Sequence, residues 1–171
     1  MGKQATTQNV AGWFTGRLPD SWFEGAPDIT VDRDEILVIG RLSAPAVEGD
    51  DAAARSAAET GRVQRFREET RDERIRIARE AEHRYGRTVS WGARVVERAL
   101  LFTTLSVPVM TRLRQPERQV LDTLVEAGVA RSRSDALAWS VRLVGKHQEE
   151  WIQSLRDALV GVEEARSAGP S

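Results

Sequence analysis

The chain has 171 residues, of which 40% are hydrophobic and 30% are charged, so it can bury a core and is not disordered throughout. It has no cysteine and only two histidines, which excludes disulfide frameworks, thiolate metal sites and a histidine-rich metal cage within one chain. The net charge of −1 excludes a strongly basic protein that coats nucleic acid without selectivity.

Residues 1–28 are interrupted at short intervals by glycine and proline, which predicts an irregular arm without long regular structure. The arm also contains two pairs of large aromatic residues, Trp13–Phe14 and Trp22–Phe23. Large aromatic side chains are costly to leave in water. We expect these pairs to dock on the body of the chain, with a contact to a protein partner as the alternative.

Residues 29–104 predict an α+β accessory domain. The apolar, β-branched run at Ile36–Ile39 is typical of a buried strand, and Ala52 to Arg84 has apolar residues at helical spacing. Two more strands are expected at Thr88–Val96 and Leu100–Leu113, joined by a polar turn. Together these elements predict a small antiparallel sheet covered by a long helix.

The predicted long helix is rich in arginine. Residues 55–114 carry 14 basic and 8 acidic residues, whereas residues 1–54 carry 4 basic and 9 acidic ones. Because acidic residues interleave with the arginines, a solvated surface is favoured over a nucleic-acid-binding surface. Gly86 is expected to end this helix.

The segment after residue 104 shows the alternation of a half-buried strand. The odd-numbered positions from Leu105 to Leu113 are apolar except for Thr111, and are expected to face the core. The even-numbered positions are more polar and include Arg112 and Arg114, which are expected to face solvent. Pro116 is suited to the first turn of a helix, and Gly128 is suited to its end. Ser132 and Asp135 then have the spacing of a capping box that opens a second helix.

The order of strand, short helix, glycine, Ser-Arg-Ser-Asp-Ala-Leu and long helix resembles the ribbon-helix-helix family of bacterial DNA-binding regulators. The resemblance covers roughly residues 106–144, and the run from Gly128 to Leu137 is its most specific part. It implies a homodimer in which two chains pair their strands, and this ribbon enters the DNA major groove. The expected dimer core comprises Val109, Leu113, Leu124, Leu137 and Val141.

The resemblance also implies two sets of DNA contacts. Met110, Arg112 and Arg114 lie on the exposed ribbon face and are expected to contact bases. The start of the second helix is expected to hold a DNA phosphate at Arg131, Ser132, Arg133 and Ser134. Two alternatives remain: Arg112 and Arg114 are simply solvated strand residues, and Ser132 with Asp135 caps a helix in any protein.

The second helix is predicted to continue to about residue 166. Its apolar residues from Leu137 to Val162 follow a heptad pattern, with Gln148 as the one large polar interruption. This extension either lengthens a dimer coiled coil or folds back on the N-terminal sheet. Residues 167–171 are expected to form a disordered tail.

No phosphate-binding loop or nucleophile elbow is present, so we expect no enzyme activity, catalytic residue, metal or cofactor. No apolar run is long enough to span a bilayer and the polar start does not resemble a secretory signal, so we expect a cytoplasmic protein without membrane contact. Nearly every basic residue is arginine, which is typical of a GC-rich bacterial genome.

The sequence thus predicts a homodimeric bacterial protein that binds double-stranded DNA, either a transcriptional regulator or a nucleoid-associated factor. Two alternatives stay open. One is a non-enzymatic scaffold that uses the same helices for oligomerisation. The other is an antitoxin-type regulator.

Overall fold

The computed structural model describes residues 7–47, 49 and 51–168. It divides into two compact units, residues 1–108 and residues 109–171. The first unit contains α1 (Thr7–Arg17), β1 (Asp28–Val31), β2 (Glu35–Leu42), α2 (Ala52–Glu69), α3 (Arg71–Tyr85), β3 (Thr88–Val95) and β4 (Arg98–Leu101). The second contains α4 (Gln115–Glu126), α5 (Arg133–His147) and α6 (Glu149–Ala168). The predicted α+β class is confirmed.

The four strands form one mixed sheet in the order β1-β2-β3-β4. The outer pairs are antiparallel as expected, but β2 and β3 are parallel, with Ile36 opposite Val89 and Val38 opposite Trp91. The prediction of an all-antiparallel sheet is therefore wrong at its centre. The reason is the connection: between β2 and β3 the chain passes through α2 and α3, and such a helical crossover returns the chain in the same direction.

The predicted long helix is present as two helices that meet at Thr70. Its predicted apolar face is confirmed, since Val63, Phe66, Ile77 and Ala81 are all buried. Positive φ at Gly86 (65°) ends α3, as expected.

A buried arginine lies at the junction of these two helices. The Arg74 guanidinium donates from Nε to Thr70 Oγ1 (3.0 Å) and from Nη2 to the Arg67 carbonyl (2.7 Å). It also lies 4.9 Å from the centre of the Phe102 ring. Burial, followed by the charges of Arg67 and Arg71, lowers the pKa of Arg74. Arg74 therefore ties the end of α2 to the start of α3 beneath the solvated surface predicted for this segment.

The N-terminal arm is more regular than predicted. Thr7–Arg17 forms α1 despite two internal glycines, because Val10 and Phe14 lie on one face of the helix and are fully buried. The other aromatic residues of the arm are partly buried against the hydrophobic core of the first unit: Trp13, Trp22 and Phe23. The expected docking on the chain's own body is confirmed, and Phe14 has no exposed surface to offer a protein partner.

The second unit has a small core of Leu121, Ala130 and Ala136, against which the partly buried Leu113, Leu124, Val125 and Leu137 pack. The predicted continuous second helix is wrong, because Gln148 (φ −121°, ψ 30°) separates α5 from α6. Helix α6 extends to Ala168, so residues 167 and 168 are not a disordered tail; residues 169–171 lie outside the described residues. None of the helices in the described part of the chain is both long and apolar enough to cross a membrane.

Candidate nucleic-acid interface

The predicted ribbon strand is not formed within one chain. β4 ends at Leu101, and residues 103–114 have no hydrogen-bonded secondary structure. The start of the segment is anchored by the Leu105 N–H, which donates to Glu35 Oε1 (3.3 Å). A strand needs a neighbour to accept and donate its backbone hydrogen bonds. Trp91 still accepts hydrogen bonds from the N–H groups of Phe102 and Thr103, but the described chain supplies no neighbouring strand after Thr103. The prediction of a strand through Leu113 is therefore wrong for an isolated chain.

In this segment, the side chains expected to face the core and those expected to face solvent are both exposed. Val109 is 85% exposed and Met110 is 96% exposed, although only the second was expected to face solvent. Of the predicted inward residues, Leu113 alone reaches the small core of the second unit. Arg112 and Arg114 are both exposed, as expected for base contacts, and their guanidinium groups form no ion pair with the described residues.

The turn between α4 and α5 is built by local hydrogen bonds. Pro116 lies in the first turn of α4, and Gly128 has the positive φ (72°) that a side chain would strain. The N–H groups of Val129 and Ala130 both donate to the Leu124 carbonyl, at 3.0 and 3.2 Å. The chain therefore leaves α4 through a left-handed glycine, as the sequence predicts.

The predicted cap of α5 is present. Ser132 Oγ accepts a hydrogen bond from the Asp135 N–H (3.2 Å). The Asp135 carboxylate reaches back to the N–H of Arg131 (3.0 Å), one residue before the cap. Ser132 Oγ therefore accepts the capping hydrogen bond of α5, and its O–H remains able to donate to an anion beside the exposed Arg131 and Ser134.

The four predicted phosphate-contacting residues divide into two kinds. Arg131 is almost fully exposed and has only a loose 3.8 Å approach to Asp135, and Ser134 is also exposed. Arg133, in contrast, donates to both carboxylate oxygens of Asp122, from Nε at 2.6 Å and from Nη2 at 2.7 Å. This hydrogen-bonded pair lowers the pKa of Asp122 and raises the pKa of Arg133.

Sequence reasoning missed the Asp122–Arg133 pair. The two residues are eleven positions apart, on different helices, so no helical spacing links them. The pair ties α4 to α5 across the turn that carries Arg131, and Ser134 follows in the first turn of α5. Arg133 thus holds the shape of the predicted phosphate site and does not present a free cation there.

The predicted dimer core is only partly buried in the single chain. Leu124 and Leu137 pack beside Leu113 around the small core of the second unit. Val109 and Val141 are 85% and 65% exposed. The described residues contain no group of three or more carboxylate, histidine or cysteine side chains arranged to hold a metal ion.

Two protein-family models match the chain, one within each of the two units. Residues 8–101 match the N-terminal domain of the Rv1265-like proteins, and residues 114–166 match the Mb1296 C-terminal domain. The chain belongs to the Rv1265 family.

Its family relatives include the uncharacterized proteins Mb1296 of Mycobacterium bovis and Rv1265 of Mycobacterium tuberculosis. Each is 58% identical to this chain over 168 residues, which is 98% of this chain and 73% of the relative. No solved structure matches the chain. Neither family description names the ribbon-helix-helix family, so that resemblance stays a prediction. Met110 and Arg112 fall between the two matched domains of this Rv1265-family chain.

Proposed function

We propose that this Rv1265-family protein is a non-enzymatic, homodimeric DNA-binding protein, either a transcriptional regulator or a nucleoid-associated factor. The observation that supports this most directly is the segment from Leu105 to Leu113. It has the alternation of a strand, has no strand partner within the described chain, and stands directly ahead of α4. A second copy of the same segment can supply the missing hydrogen bonds from Val109 onward, because Pro108 has no N–H to donate and the ribbon must start after it or bulge there.

The small size of the second unit's core also favours pairing. Among its described residues, the buried ones are Leu121, Ala130 and Ala136, two of which are alanines. A strand and short helices of this size do not bury enough apolar surface to be stable alone. Pairing two segments antiparallel would cover Val109 and Leu113 and join the two small cores into one, so folding and dimerisation become one event.

In the proposed complex, the ribbon enters the major groove. Arg112 and Arg114 are exposed and without ion pairs among the described residues, so their guanidinium groups are free to donate to guanine O6 and N7. Met110 would contact thymine methyl groups. Arg131 and Ser134 would meet a phosphate beside the N-terminus of α5, while the Asp122–Arg133 pair keeps that turn in shape.

The test is a binding measurement on DNA selected from a random duplex pool with the purified full chain. Replacing Arg112 or Arg114 by Ala should cost about 1–3 kcal/mol each at its base pair, because a bidentate contact is lost. Arg65→Ala is the matched control, since Arg65 is an exposed arginine on α2. Equal affinities for wild type, control and the double variant would overturn the proposal.

A scaffold that assembles without DNA is the second candidate. Residues 105–171 hold 9 basic and 9 acidic residues, so this unit has no excess positive charge to attract DNA. A dimer that selects no sequence from the random pool, and whose affinity for duplex DNA does not fall with salt, would favour the scaffold.

A further inference from the structure

Helix α6 carries an apolar stripe that the described residues of its own unit leave about half exposed. Trp151, Leu155, Leu159 and Val162 recur at helical spacing and are 56%, 45%, 62% and 50% exposed. Such a stripe costs free energy in water, at roughly 25 cal/mol for each Å² left exposed. An amphipathic helix of 20 residues with this stripe is suited to packing on another apolar surface.

A matching surface lies beside it, in a groove between α5 and α6. The groove has a volume of about 410 Å³ and is lined by Ser140, Val141, Val144, Gly145, Ile152 and Arg156. Val141 and Val144 are 65% and 50% exposed along its α5 wall. The small residues Ser140 and Gly145 leave room there for large side chains from a partner helix.

Charge favours an acidic helix as the occupant of the groove, because Arg156 is the one charged side chain among its described lining residues. α5 carries three basic residues and one acidic residue, whereas α6 carries five acidic and two basic ones. Lys146 and Glu150 are four residues apart, so on a continuous helix they would be close enough to form an ion pair. The break at Gln148 separates α5 from α6, and within the described residues neither Lys146 nor Glu150 has an ion-pair partner.

We propose that α6 of a second copy of this chain occupies the groove, and that the two copies exchange this contact reciprocally. The partner must offer an apolar stripe and negative charge, and α6 itself has both. A two-fold axis then lets the two equivalent contacts form together and cover both stripes. This inference rests on the homodimer of the proposed function, and adds an interface outside the ribbon.

A cross-linking experiment tests the contact between copies. Because the natural chain has no cysteine, single cysteines can be introduced without background. One tagged copy carries Val144→Cys, and a second copy with another tag carries Leu155→Cys. The two are co-expressed at full length and treated with a short bifunctional maleimide.

The expected product is a cross-linked pair that carries both tags. The matched control replaces Leu155→Cys with Gln153→Cys, which lies on the opposite, exposed face of α6. The control pair should cross-link at least tenfold less. Equal yields from the two pairs, or no product carrying both tags, would overturn the proposed contact.

Sedimentation equilibrium separates this inference from the DNA proposal. Leu155→Asp with Leu159→Asp should raise the dimer dissociation constant at least tenfold, whereas Gln153→Glu should leave it unchanged. The Arg112→Ala, Arg114→Ala variant should lose DNA affinity but keep the wild-type dimer. If the Asp variants dimerise like wild type, the α6 contact is wrong. If α6 controls dimerisation but no DNA is bound, only the proposed function fails.

Discussion

At the scale of single residues, the Asp122–Arg133 pair shows how one side-chain contact shapes the candidate site. It joins α4 to α5 through two hydrogen bonds of 2.6 and 2.7 Å. The pair lies at the surface, where an ion pair is weaker because water screens it. Its role is therefore geometric, since it holds the turn in which Arg131 is presented.

This pair leads to a testable prediction about the pKa of Asp122. The hydrogen bonds from Arg133 lower the pKa of Asp122, so the stabilisation by the carboxylate is present above its unfolded pKa. It is lost as the pH falls through the lowered folded pKa. Replacing Arg133 by Ala should raise the pKa of Asp122 towards its usual value, as followed by carboxyl NMR shifts. Arg131→Ala is the control and should leave this pKa unchanged; equal midpoints in all three proteins would contradict the prediction.

Arg74 is the residue that sequence reasoning placed least well. It stands in an arginine-rich helical pattern that predicts a solvated surface. The structure buries it, with Thr70, the Arg67 carbonyl and the Phe102 ring around its guanidinium. Helical spacing does place Arg74 on the buried face, four residues after Thr70 and three before Ile77. Its charge hid that signal, and its contact with Phe102 is too distant in sequence to be read locally.

At the scale of helices and strands, the positions where helices end agree with local chemistry. Gly86 closes α3 in the left-handed region (φ 65°), where a β-carbon is strained. Gly61, by contrast, lies inside α2, and apart from its own helix backbone and chain neighbours no atom lies within 4 Å of the position that a β-carbon would take there. A methyl group therefore fits at Gly61.

These two glycines should respond oppositely to the same substitution. Gly86→Ala should lower the free energy of unfolding by about 1 kcal/mol, because alanine is strained in the left-handed conformation. Gly61→Ala should raise it by about 0.5–1 kcal/mol, because alanine loses less entropy in a helix. Urea unfolding of the full chain followed by circular dichroism measures both. Changes of the same sign would contradict the left-handed conformation of Gly86.

The strands are less completely predictable than the helix ends. The buried runs at Ile36–Ile39 and Thr88–Val96 can be recognised, because an apolar β-branched run needs no information from elsewhere. The parallel pairing of β2 with β3, and the end of β4 at Leu101, depend on which strand lies alongside. Alternation from Leu105 to Leu113 shows only that the segment is suited to a sheet; it does not say which chain supplies the neighbouring strand.

At the scale of the whole molecule, the two units differ in the number of hydrophobic side chains that each buries. The first buries two joined sets of side chains beneath its sheet, including Phe14, Ile36, Leu42 and Ile77. Among the described residues of the second unit, three are buried, and helices α5 and α6 keep large apolar side chains exposed. We therefore expect the stability of the second unit to depend on association.

Calorimetry at several protein concentrations tests this expectation. If folding of the second unit is coupled to dimerisation, each tenfold rise in concentration stabilises it by up to about 1.4 kcal/mol, and its melting temperature rises. Melting of the first unit should not depend on concentration, which makes it the internal control. A second-unit transition that stays at one temperature would show that residues 109–171 fold without a partner copy.

The sequence alone determined the features that depend on neighbouring residues: the absence of cysteine chemistry, the α+β class, the helix end at Gly86 and the cap of α5 at Ser132. These follow from backbone preferences and short-range hydrogen bonds, which a few residues decide together. Only the tertiary structure decided that β2 and β3 run parallel, that the first aromatic pair sits on a helix, and that Arg74 is buried. It also decided that Arg133 is held by Asp122. Each of these depends on packing between segments far apart in the chain, and the energy of that packing outweighs local preference.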